Sequence, residues 1–573
     1  MAHHFFKKLI AATGAVSMML LPGTLPAPAP ADSAAAPDEY HDDWLHVNEN
    51  AEIVDMYGNP VWLTGINWFG YNVGSQVFDG VWSVNMHDCL NLIADHGFNL
   101  LRVPMSTEIL LQWKNNEPDP MIKVNEWKNP ELTVEGIEGG KVKYSFDIWN
   151  QAVAWCRENG IKIMLDIHSA STNASGHSYP LWYDDSFSTE DWLEALSWFC
   201  EYYKDDDTII AVDLKNEPHG KPEEGKFAKW DDSTDLNNWK YAAERGAKAC
   251  LDQNPNLLIM VEGVEVYPKF DQGSDWTTPS VDYANYDGPS PLWGAWWGAN
   301  LRGVLDCPVD LGEHQSQLVY SPHDYGPEVW KQTWFYLEDD SKTFTRETLL
   351  DDYWYGTWAY LAEKNMYPLL MGEWGGWVDD EHDKTGENRH WLQEIRDYMI
   401  DKHIHHTFWC FNENSSDTGG MVYDNFEKWD DVKYEFVKPA LWQDENGRFI
   451  SLDHTIPIGA NGITLTEYYS GSSQPVTDPT TDPTTEPTTG GDDITYGDAD
   501  GDGEVMMNDV VLIMQALANK DKYGVGGSDK NALKEENLDK ADCFDPGSGL
   551  SVKDALSVQK FLLELITLPE RSK

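Results

Sequence analysis

Two glutamates of this 573-residue chain each follow directly on an apolar run, in the stretches AVDLKNEPHG and LLMGEWGG. They are Glu217 and Glu373. Two carboxyl groups facing each other across a pocket can cleave a glycosidic bond, because one protonates the departing sugar oxygen while the other attacks or stabilises the oxocarbenium-like centre. Since the chain has 97 acidic residues, a pair of glutamates is a weak signal by spacing alone. Their shared position at the ends of apolar runs strengthens the hypothesis.

The elements that would position these glutamates are short apolar runs that alternate with amphipathic segments such as 147–160 and 236–254. Near-continuous apolar strands between helices indicate a parallel sheet that is covered on both faces. Eight such units in one domain predict an α/β fold, a closed (β/α)8 TIM barrel. The eight runs are residues 61–70, 98–106, 161–169, 209–218, 257–266, 317–326, 367–376 and 406–415.

Polar side chains gather where the predicted strands end. In a barrel of this kind the active site lies at the carboxyl ends of the strands, so residues far apart in the sequence can line one pocket. We therefore expect the following residues to surround Glu217 and Glu373: Asn67, Arg102, His168, Asn216, His323, Tyr325 and Trp409.

The composition restricts the partners of the protein. Its formal charge of −56 would repel nucleic acid and anionic membrane surfaces, so neither is expected as a partner. The 27 Trp and 26 Tyr exceed what a core needs, and their flat rings are suited to the apolar faces of sugars. The seven cysteines are scattered without a CxxC pair, and no disulfide is predicted.

The chain divides into four predicted segments. Residues 1–36 have two lysines, the apolar run 9–21 and then small residues, which is typical of an export signal and predicts a secreted protein. Residues 37–470 form the catalytic domain. The Pro/Thr repeat of 471–493 is an extended linker that cannot form a core. Residues 494–573 form a small helical domain.

The strand ends resemble those of glycoside hydrolase family 5, in particular its bacterial endo-β-1,4-glucanases. The resemblance covers about residues 40–445 and rests on DLKNEPHG, LLMGEWGG, LRVPMS, LDIHS, PLWYDD, WWGANLRGV, VYSPHDYGP and FWCFNENSSDTGG in this order. It implies a retaining hydrolase of β-glucan that needs no cofactor for catalysis. Glu217 would be the general acid/base and Glu373 the nucleophile.

The resemblance also implies roles for the other residues. Arg102 and Tyr325 would orient Glu373 and keep it ionised. Independently of the resemblance, a carboxyl group among aromatic rings and near another acid, as Glu217 would be, is expected to have a raised pKa. Asn216 would bind the hydroxyl next to the reacting carbon. Lys215 departs from the family, in which a His often stands before Asn-Glu. The remaining assignments are His168 and His323 in the polar shell and Trp409 as the floor under the sugar that is cleaved. Trp68, Trp182, Trp296 and Trp297 are candidates for sugar platforms in neighbouring subsites, and each could equally be a packing residue.

The small domain contains two stretches with the oxygen-ligand spacing of a calcium loop. The first is regular, and its predicted ligands are Asp498, Asp500, Asp502, Glu504 and Asp509. The second is degenerate, and its predicted ligands are Asp542, Asp545, Ser548, Leu550 and Asp554.

An apolar helix follows each loop, at 510–518 and 555–566, and no helix precedes the first. A duplicated loop–helix of this kind resembles a dockerin, over about residues 495–568. The resemblance implies structural calcium and a cohesin domain of a cellulosome scaffold as the partner. Met507, Asn508, Val552 and Lys553 would then help to select that partner.

Other readings remain open at this stage. The same chemistry could act on mannan, xyloglucan or mixed-linkage glucan, and the chain could be a non-catalytic carbohydrate-binding subunit. A third alternative, a metallohydrolase, would use His403, His405 and His406. These histidines precede the eighth strand, at the end of the barrel opposite the chemistry, so we expect a surface cluster.

Overall fold

The structure is a computed structural model, and it describes most of the chain between residues 42 and 569. The described residues are 42–117, 123–134, 141–280, 290–336, 343–470, 496–499, 505, 507–528, 532–544, 546, 550–562 and 567–569. The predicted export signal and linker lie outside these ranges. Within them, no helix has both the length and the apolar character needed to cross a bilayer.

Eight parallel strands form one sheet, in the spatial order β6-β5-β4-β3-β2-β1-β8-β7. Bridges from Tyr320 to Leu369 and from His323 to Glu373 join the two outer strands, so the sheet closes on itself. The predicted eight-stranded barrel is confirmed. The strands are β1 (Thr64–Asn67), β2 (Leu100–Ser106), β3 (Lys162–Ser169), β4 (Ile209–Asp213), β5 (Leu258–Val261), β6 (Leu318–Tyr320), β7 (Leu370–Trp374) and β8 (His405–Phe408).

Helices alternate with the strands, and further helices follow the barrel. They are α1 (Met86–Asp95), α2 (Thr107–Lys114), α3 (Ser145–Glu158), α4 (Thr189–Tyr202), α5 (Trp239–Leu251), α6 (Arg346–Leu349), α7 (Tyr360–Glu363), α8 (Glu387–Lys402), α9 (Asp431–Val437), α10 (Leu465–Ser470), α11 (Met507–Ala518), α12 (Lys520–Tyr523), α13 (Leu538–Ala541) and α14 (Val552–Leu562). A π-helical stretch, Leu350–Ala359, joins α6 to α7.

The strands are buried along their whole length because helices cover the outside of the barrel and side chains fill its inside. Every residue of β2 and β3 is buried, including polar ones. Burial of a strand on both faces explains why these segments of the sequence are mainly apolar. At the carboxyl end of β2, Ser106 accepts a hydrogen bond from the Ile109 amide and so begins α2 directly at the mouth of the barrel.

The opposite end of the barrel is closed by the segments that precede β1 and follow α9. Lys162, at the start of β3, contacts Asp43 at 2.8 Å and Asp453 at 3.1 Å. His454 contacts Asp43 at 2.5 Å and Asp55 at 3.1 Å. All of these side chains are at least nine-tenths buried. The ion pairs therefore join both ends of the barrel domain to the base of the sheet.

The last described residues form a separate small core. Its centre consists of Val510 and Ile513 of α11, Ala541 of α13, and Ala555 and Val558 of α14. This core is made of residues from both halves of the sequence duplication. The predicted helices after the two loops are thus present and packed together.

Candidate active site

Glu373 lies on β7 at the mouth of the barrel, and its side chain is only 5% exposed. Arg102 of β2 donates to its Oε1 at 2.9 Å. The hydroxyl of Tyr325 donates to its Oε2 at 2.5 Å. Both carboxylate oxygens therefore have strong donors, which fix the rotamer and stabilise the ionised form.

Glu217 lies across the mouth from Glu373, four residues after the end of β4. Its backbone has a φ of 50°, a left-handed conformation that side-chain-bearing residues rarely adopt. The Glu217 amide donates to Oε2 of Glu262 at 2.7 Å, which stabilises this turn. Oxygens of Glu217 and Glu373 lie within 4.8 Å of each other. This upper bound is well below the about 6.5–9.5 Å that separates the carboxyl groups of inverting glycosidases, and it is close to the about 5–5.5 Å of retaining ones.

His323, after β6, connects the two glutamates. Its Nδ1 lies 3.1 Å from Glu217 Oε1 and 3.7 Å from Glu373 Oε2. Its Nε2 lies 3.1 Å from Glu262 Oε1. Because three carboxylates surround it, the pKa of His323 is well above its usual value in spite of burial. The ring can therefore carry a proton next to Glu217 and Glu373.

Arg102 is the centre of a buried network beneath the pair. Its guanidinium contacts Asp213 at 2.8 Å, Asp166 at 3.3 Å and Glu262 at 3.5 Å, besides Glu373. It also donates to the amide oxygens of Asn67 and Asn216, each at 3.0 Å. The prediction that Arg102 orients Glu373 agrees with this geometry. The contact to Asn216 shows that the same guanidinium also positions the amide beside Glu217.

Trp409 and His168 form one side of the pocket. The rings of Trp409 and His168 are parallel, with centroids 5.8 Å apart, and the Trp409 ring also stacks on Phe69 at 5.7 Å. His168 Nδ1 contacts Asp166 Oδ2 at 2.6 Å. Trp409 is half-buried, so part of its indole remains available to a sugar.

The pKa shifts of the two glutamates are opposite to those expected from the sequence. Burial and the charge of Glu217 raise the pKa of Glu373, against the effect of His323 and Arg102. Burial alone would raise the pKa of Glu217 as well, but the hydrogen bond and positive charge of His323 lower it. The expectation of a raised pKa for Glu217 was therefore wrong for the free site, because His323 lies against that carboxylate.

For two of the four candidate platforms the structure favours the packing alternative. Trp68 and Trp182 are at most 1% exposed, and their indole N–H groups donate to the Asp79 carbonyl and the Thr189 hydroxyl. Neither ring can reach a sugar, because both are packed inside the domain. Spacing along the sequence does not distinguish such core rings from surface ones.

The other two predicted platforms lie at the mouth. Trp296 is half-buried beside Tyr325, with ring centroids 6.0 Å apart. Trp297 is half-buried and stacks on His219 at 3.8 Å, with the rings nearly parallel. His219 in turn contacts the Glu217 carbonyl at 2.6 Å. Trp297 therefore lies on the Glu217 side of the pocket.

Sequence reasoning missed three buried acids of the network, Asp166, Asp213 and Glu262. Each stands in or directly after an apolar run, as Glu217 and Glu373 do, and this shared pattern was the available signal. Burial raises the pKa of Asp166 to about 6. Lys215 is also fully buried, and its Nζ donates to the Asn216 carbonyl. The residue that departs from the family pattern is thus buried directly before Asn216 and Glu217.

The expected surface cluster of histidines is only partly present. His403 is exposed, but His405 and His406 are buried in β8. His405 Nδ1 accepts from the Leu63 amide at 3.0 Å, and His406 contacts the Trp374 indole and the Ala440 carbonyl. Because their nitrogens bind protein groups, these two histidines are structural. All seven cysteines are buried, and none of them forms a disulfide within the described residues.

The predicted calcium ligands are described only in part. Asp498, Asp509 and Asp554 are at most 1% exposed, Asp542 is 6% exposed, and Leu550 is half-buried. Asp498 contacts Lys540 at 2.8 Å. Asp554 accepts from the amides of Phe544 and Ser551 at the start of α14. The other predicted ligands lie outside the described residues: Asp500, Asp502, Glu504, Asp545 and Ser548.

Comparison with known proteins identifies relatives over most of the chain. Endoglucanase G of Acetivibrio thermocellus is 48% identical over 503 residues, which are 85% of this chain and 87% of that protein. Endoglucanase B of the same organism is 41% identical over 536 residues, 90% of this chain and 92% of that protein. These similarities extend over a larger part of the chain than the barrel itself.

Solved structures agree with the fold and the family. An endocellulase from Pyrococcus horikoshii, in a complex with cellotetraose, gives a TM-score of 0.57 at 31% identity, over 70% of this chain and 98% of that one. The catalytic domain of the major endoglucanase from Xanthomonas campestris gives 0.56 at 27% identity, over 69% and 99%. The model of the cellulase family matches residues 54–415, which include both glutamates. The chain therefore belongs to glycosyl hydrolase family 5, the cellulase family.

Proposed function

We propose that this glycoside hydrolase cleaves internal β-1,4-glucosidic bonds of cellulose or related β-glucans with retention of anomeric configuration. The supporting observation is the pair Glu217 and Glu373, whose oxygens lie within 4.8 Å of each other at the mouth of the barrel. The names of the relatives, endoglucanase and endocellulase, point to the same substrate class.

In the first step, Glu373 attacks the anomeric carbon while Glu217 protonates the leaving oxygen. Glu217 enters this step protonated, and the leaving oxygen takes its proton, so that Glu217 becomes a carboxylate. His323 Nδ1 lies 3.1 Å from Glu217 Oε1 and can hydrogen-bond to that carboxyl group.

In the second step, the glycosyl–Glu373 ester is hydrolysed. Glu217, now a carboxylate, accepts a proton from water, whose oxygen attacks the anomeric carbon and releases Glu373. Tyr325 and Arg102 stabilise the carboxylate that leaves, since they bind its two oxygens. The same donors therefore act at the start and at the end of the cycle.

The positions of the aromatic rings support an orientation of the bound glycan in the cleft. Trp409, beside His168, forms the floor under the sugar that is cleaved. Trp297 lies on the Glu217 side, where the leaving sugar departs, because Gly298 next to it approaches the Glu217 backbone. A platform on this side binds the part of the chain that is released first, as an enzyme acting within a long glycan requires.

The test measures reducing-sugar release and product anomer on carboxymethylcellulose, glucomannan, mannan and xyloglucan. We expect the wild type to cut carboxymethylcellulose and to release the β-anomer first, as followed by NMR. Glu373→Gln should lose at least a thousandfold in kcat, whereas Glu201→Gln on the outside of α4 should not change it. Cutting of mannan alone would contradict the substrate, and release of the α-anomer would contradict retention. Binding without cutting would favour a non-catalytic subunit.

We further propose that the small C-terminal unit is a dockerin that attaches a secreted enzyme to a cohesin domain of a cellulosome scaffold. The calcium-loop spacing supports this, as does the duplication that packs α11 against α14. Asp498, which contacts Lys540, and Asp509 are almost fully buried, as carboxylate ligands inside a loop would be. Calcium would be held by Asp498, Asp509 and their loop neighbours, and would order the loop.

The exposed surface of α11 supports a protein partner. Val511 and Met514 are 49% and 46% exposed, three residues apart on the same helix face. Binding of the full chain to immobilised cohesin domains, with and without chelator, tests the assignment. We expect calcium-dependent binding that Met514→Glu weakens at least tenfold and that Val432→Glu, on the exposed surface of α9, does not weaken. Chelator-insensitive binding, or none to any cohesin, would contradict it.

A further inference from the structure

Glu262 stands directly after β5, and its side chain is completely buried. One of its carboxyl oxygens, Oε2, accepts a hydrogen bond from the Glu217 amide at 2.7 Å. The other oxygen, Oε1, lies 3.1 Å from Nε2 of His323 and 3.5 Å from the Arg102 guanidinium. A single side chain therefore contacts both the backbone of Glu217 and the imidazole ring that faces the Glu217 carboxyl group.

Each of these two contacts constrains a different part of Glu217. The backbone of Glu217 has a φ of 50°, a conformation that persists only where the surrounding structure stabilises it. The hydrogen bond to Glu262 holds the amide in that turn. On the other side, the ring of His323 has Nε2 against Glu262 and Nδ1 at 3.1 Å from Glu217 Oε1. The backbone and the carboxyl group of Glu217 are thus both positioned through Glu262.

Glu262 is itself held in place by its neighbours. The indole N–H of Trp239, on α5, donates to the Glu262 carbonyl at 2.7 Å. The next amide along the chain, that of Gly263, donates to the Gly298 carbonyl at 2.6 Å. A Cβ at Gly298 would lie 2.0 Å from Glu262 Oε2, so the chain packs closely against this carboxyl group. Such a rigid support is what a residue that positions a catalytic group requires.

The two contacts depend on the chemistry of the side chain as well as on its shape. A carboxylate has two acceptor oxygens, whereas the carboxamide of glutamine has one acceptor and one donor. A glutamine at this position could accept at the Glu217 amide or at the His323 end, but not at both. Glu262→Gln therefore removes one of the two contacts while it preserves the size of the side chain.

We propose that Glu262 is a positioning residue for general acid–base catalysis, which through its two contacts fixes Glu217 in the orientation that delivers a proton to the leaving oxygen. This inference rests on the proposed function, because it assigns the acid/base role to Glu217. A general acid must lie within hydrogen-bond reach of the atom that it protonates, and a small displacement weakens the transfer. Loss of either contact should therefore harm a reaction most when the leaving group needs a proton.

The experiment compares two substrates whose leaving groups differ in their need for a proton. Dinitrophenyl β-cellobioside releases a stable phenolate without acid catalysis, whereas phenyl β-cellobioside depends on protonation. We expect Glu262→Gln to lower kcat/KM about ten- to hundredfold on the phenyl substrate and less than about twofold on the dinitrophenyl substrate. Glu262→Asp, which withdraws both oxygens by one methylene group, should show the same selectivity. Circular dichroism and thermal unfolding verify that the variants are folded.

Glu265→Gln is the matched control. Oε2 of Glu265 accepts from the Gly220 amide at 2.9 Å, in the turn that follows Glu217, and its Oε1 contacts Lys221 at 3.3 Å. Since neither contact involves His323 or the Glu217 amide, this variant should change kcat/KM by less than about twofold on both substrates. Equal losses on the two substrates in Glu262→Gln, or no loss, would overturn the positioning role, because a general structural defect does not distinguish leaving groups.

Binding of cellobiose, measured by calorimetry, provides a second readout. Glu262 is completely buried beneath the pocket, so Glu262→Gln should leave this affinity within about twofold of the wild type. A loss of affinity as large as the loss of kcat/KM on the phenyl substrate would overturn the proposal, since it would place the effect on sugar binding. Absence of wild-type activity on both cellobiosides and on carboxymethylcellulose would instead contradict the proposed function, and the positioning role with it.

Discussion

Replacing Tyr325 with phenylalanine tests how strongly its hydroxyl stabilises the ionised form of Glu373. The hydroxyl lies 2.5 Å from Glu373 Oε2, the short distance of a hydrogen bond to an anion. Such bonds are worth roughly 1.5–3 kcal/mol. Since one pKa unit corresponds to about 1.4 kcal/mol, Tyr325→Phe should raise the pKa of Glu373 by roughly one to two units.

The sign of the effect follows from which form the bond stabilises. The hydroxyl donates to the carboxylate and so lowers the pKa of Glu373; without it, ionisation requires a higher pH. The acid limb of the kcat/KM profile should therefore move to higher pH by roughly one to two units, while Arg102 continues to bind the other oxygen. Soluble β-glucan is a suitable substrate, and Tyr202→Phe, on an exposed position of α4, is the matched control. A fall in kcat with an unmoved acid limb would refute the reasoning and place the hydroxyl on the sugar instead.

Three further predictions concern the scaffold of the site and the base of the barrel. Gly298→Ala would place a Cβ 2.0 Å from Glu262 Oε2, so we expect kcat/KM to fall more than tenfold, and unchanged kinetics would show that Glu262 does not position Glu217. Lys162→Met leaves buried carboxylates unpaired, which should cost about 3–5 kcal/mol in thermal unfolding; a loss below about 1 kcal/mol would contradict a buried ion network. Lys162 lowers the pKa of Asp43 against the effect of burial, so its stabilisation is complete above about pH 4 and is lost as the pH falls further. Asp43→Asn should flatten the dependence of Tm on pH in that range.

The eight strands could be predicted because burial on both faces leaves a direct trace in the sequence. The run 367–376 is apolar from Leu369 up to Glu373, and its polar end coincides with the mouth of the barrel. The two catalytic candidates were found for the same reason. A local sequence pattern is sufficient to predict a site residue when a single strand is buried along its length and its last residue lies at the mouth of the barrel.

The environment of each side chain could not be predicted in the same way. The sequence pattern does not distinguish Trp68 from Trp297, yet Trp68 is inside the core and Trp297 is half-buried at the pocket. The pKa order of the glutamates depends on a histidine that is more than a hundred residues from Glu217 in sequence and 3.1 Å from it in space. Glu262 was missed because its role is to accept a backbone hydrogen bond from another strand end. Such relations arise only when the barrel closes.

The closure of the barrel base has a consequence for engineering. Asp43 and His454 contact each other there, and Tyr469 of α10 reaches the Pro60 carbonyl nearby. The first and last segments of the barrel domain therefore lie at the same end of the barrel, opposite the cleft. A circular permutant that joins residues 42 and 470 through a short loop, and that begins instead between two outer helices, would keep every strand end at the mouth in place. A fusion partner could then be attached at a loop between two outer helices, away from the residues of the active site.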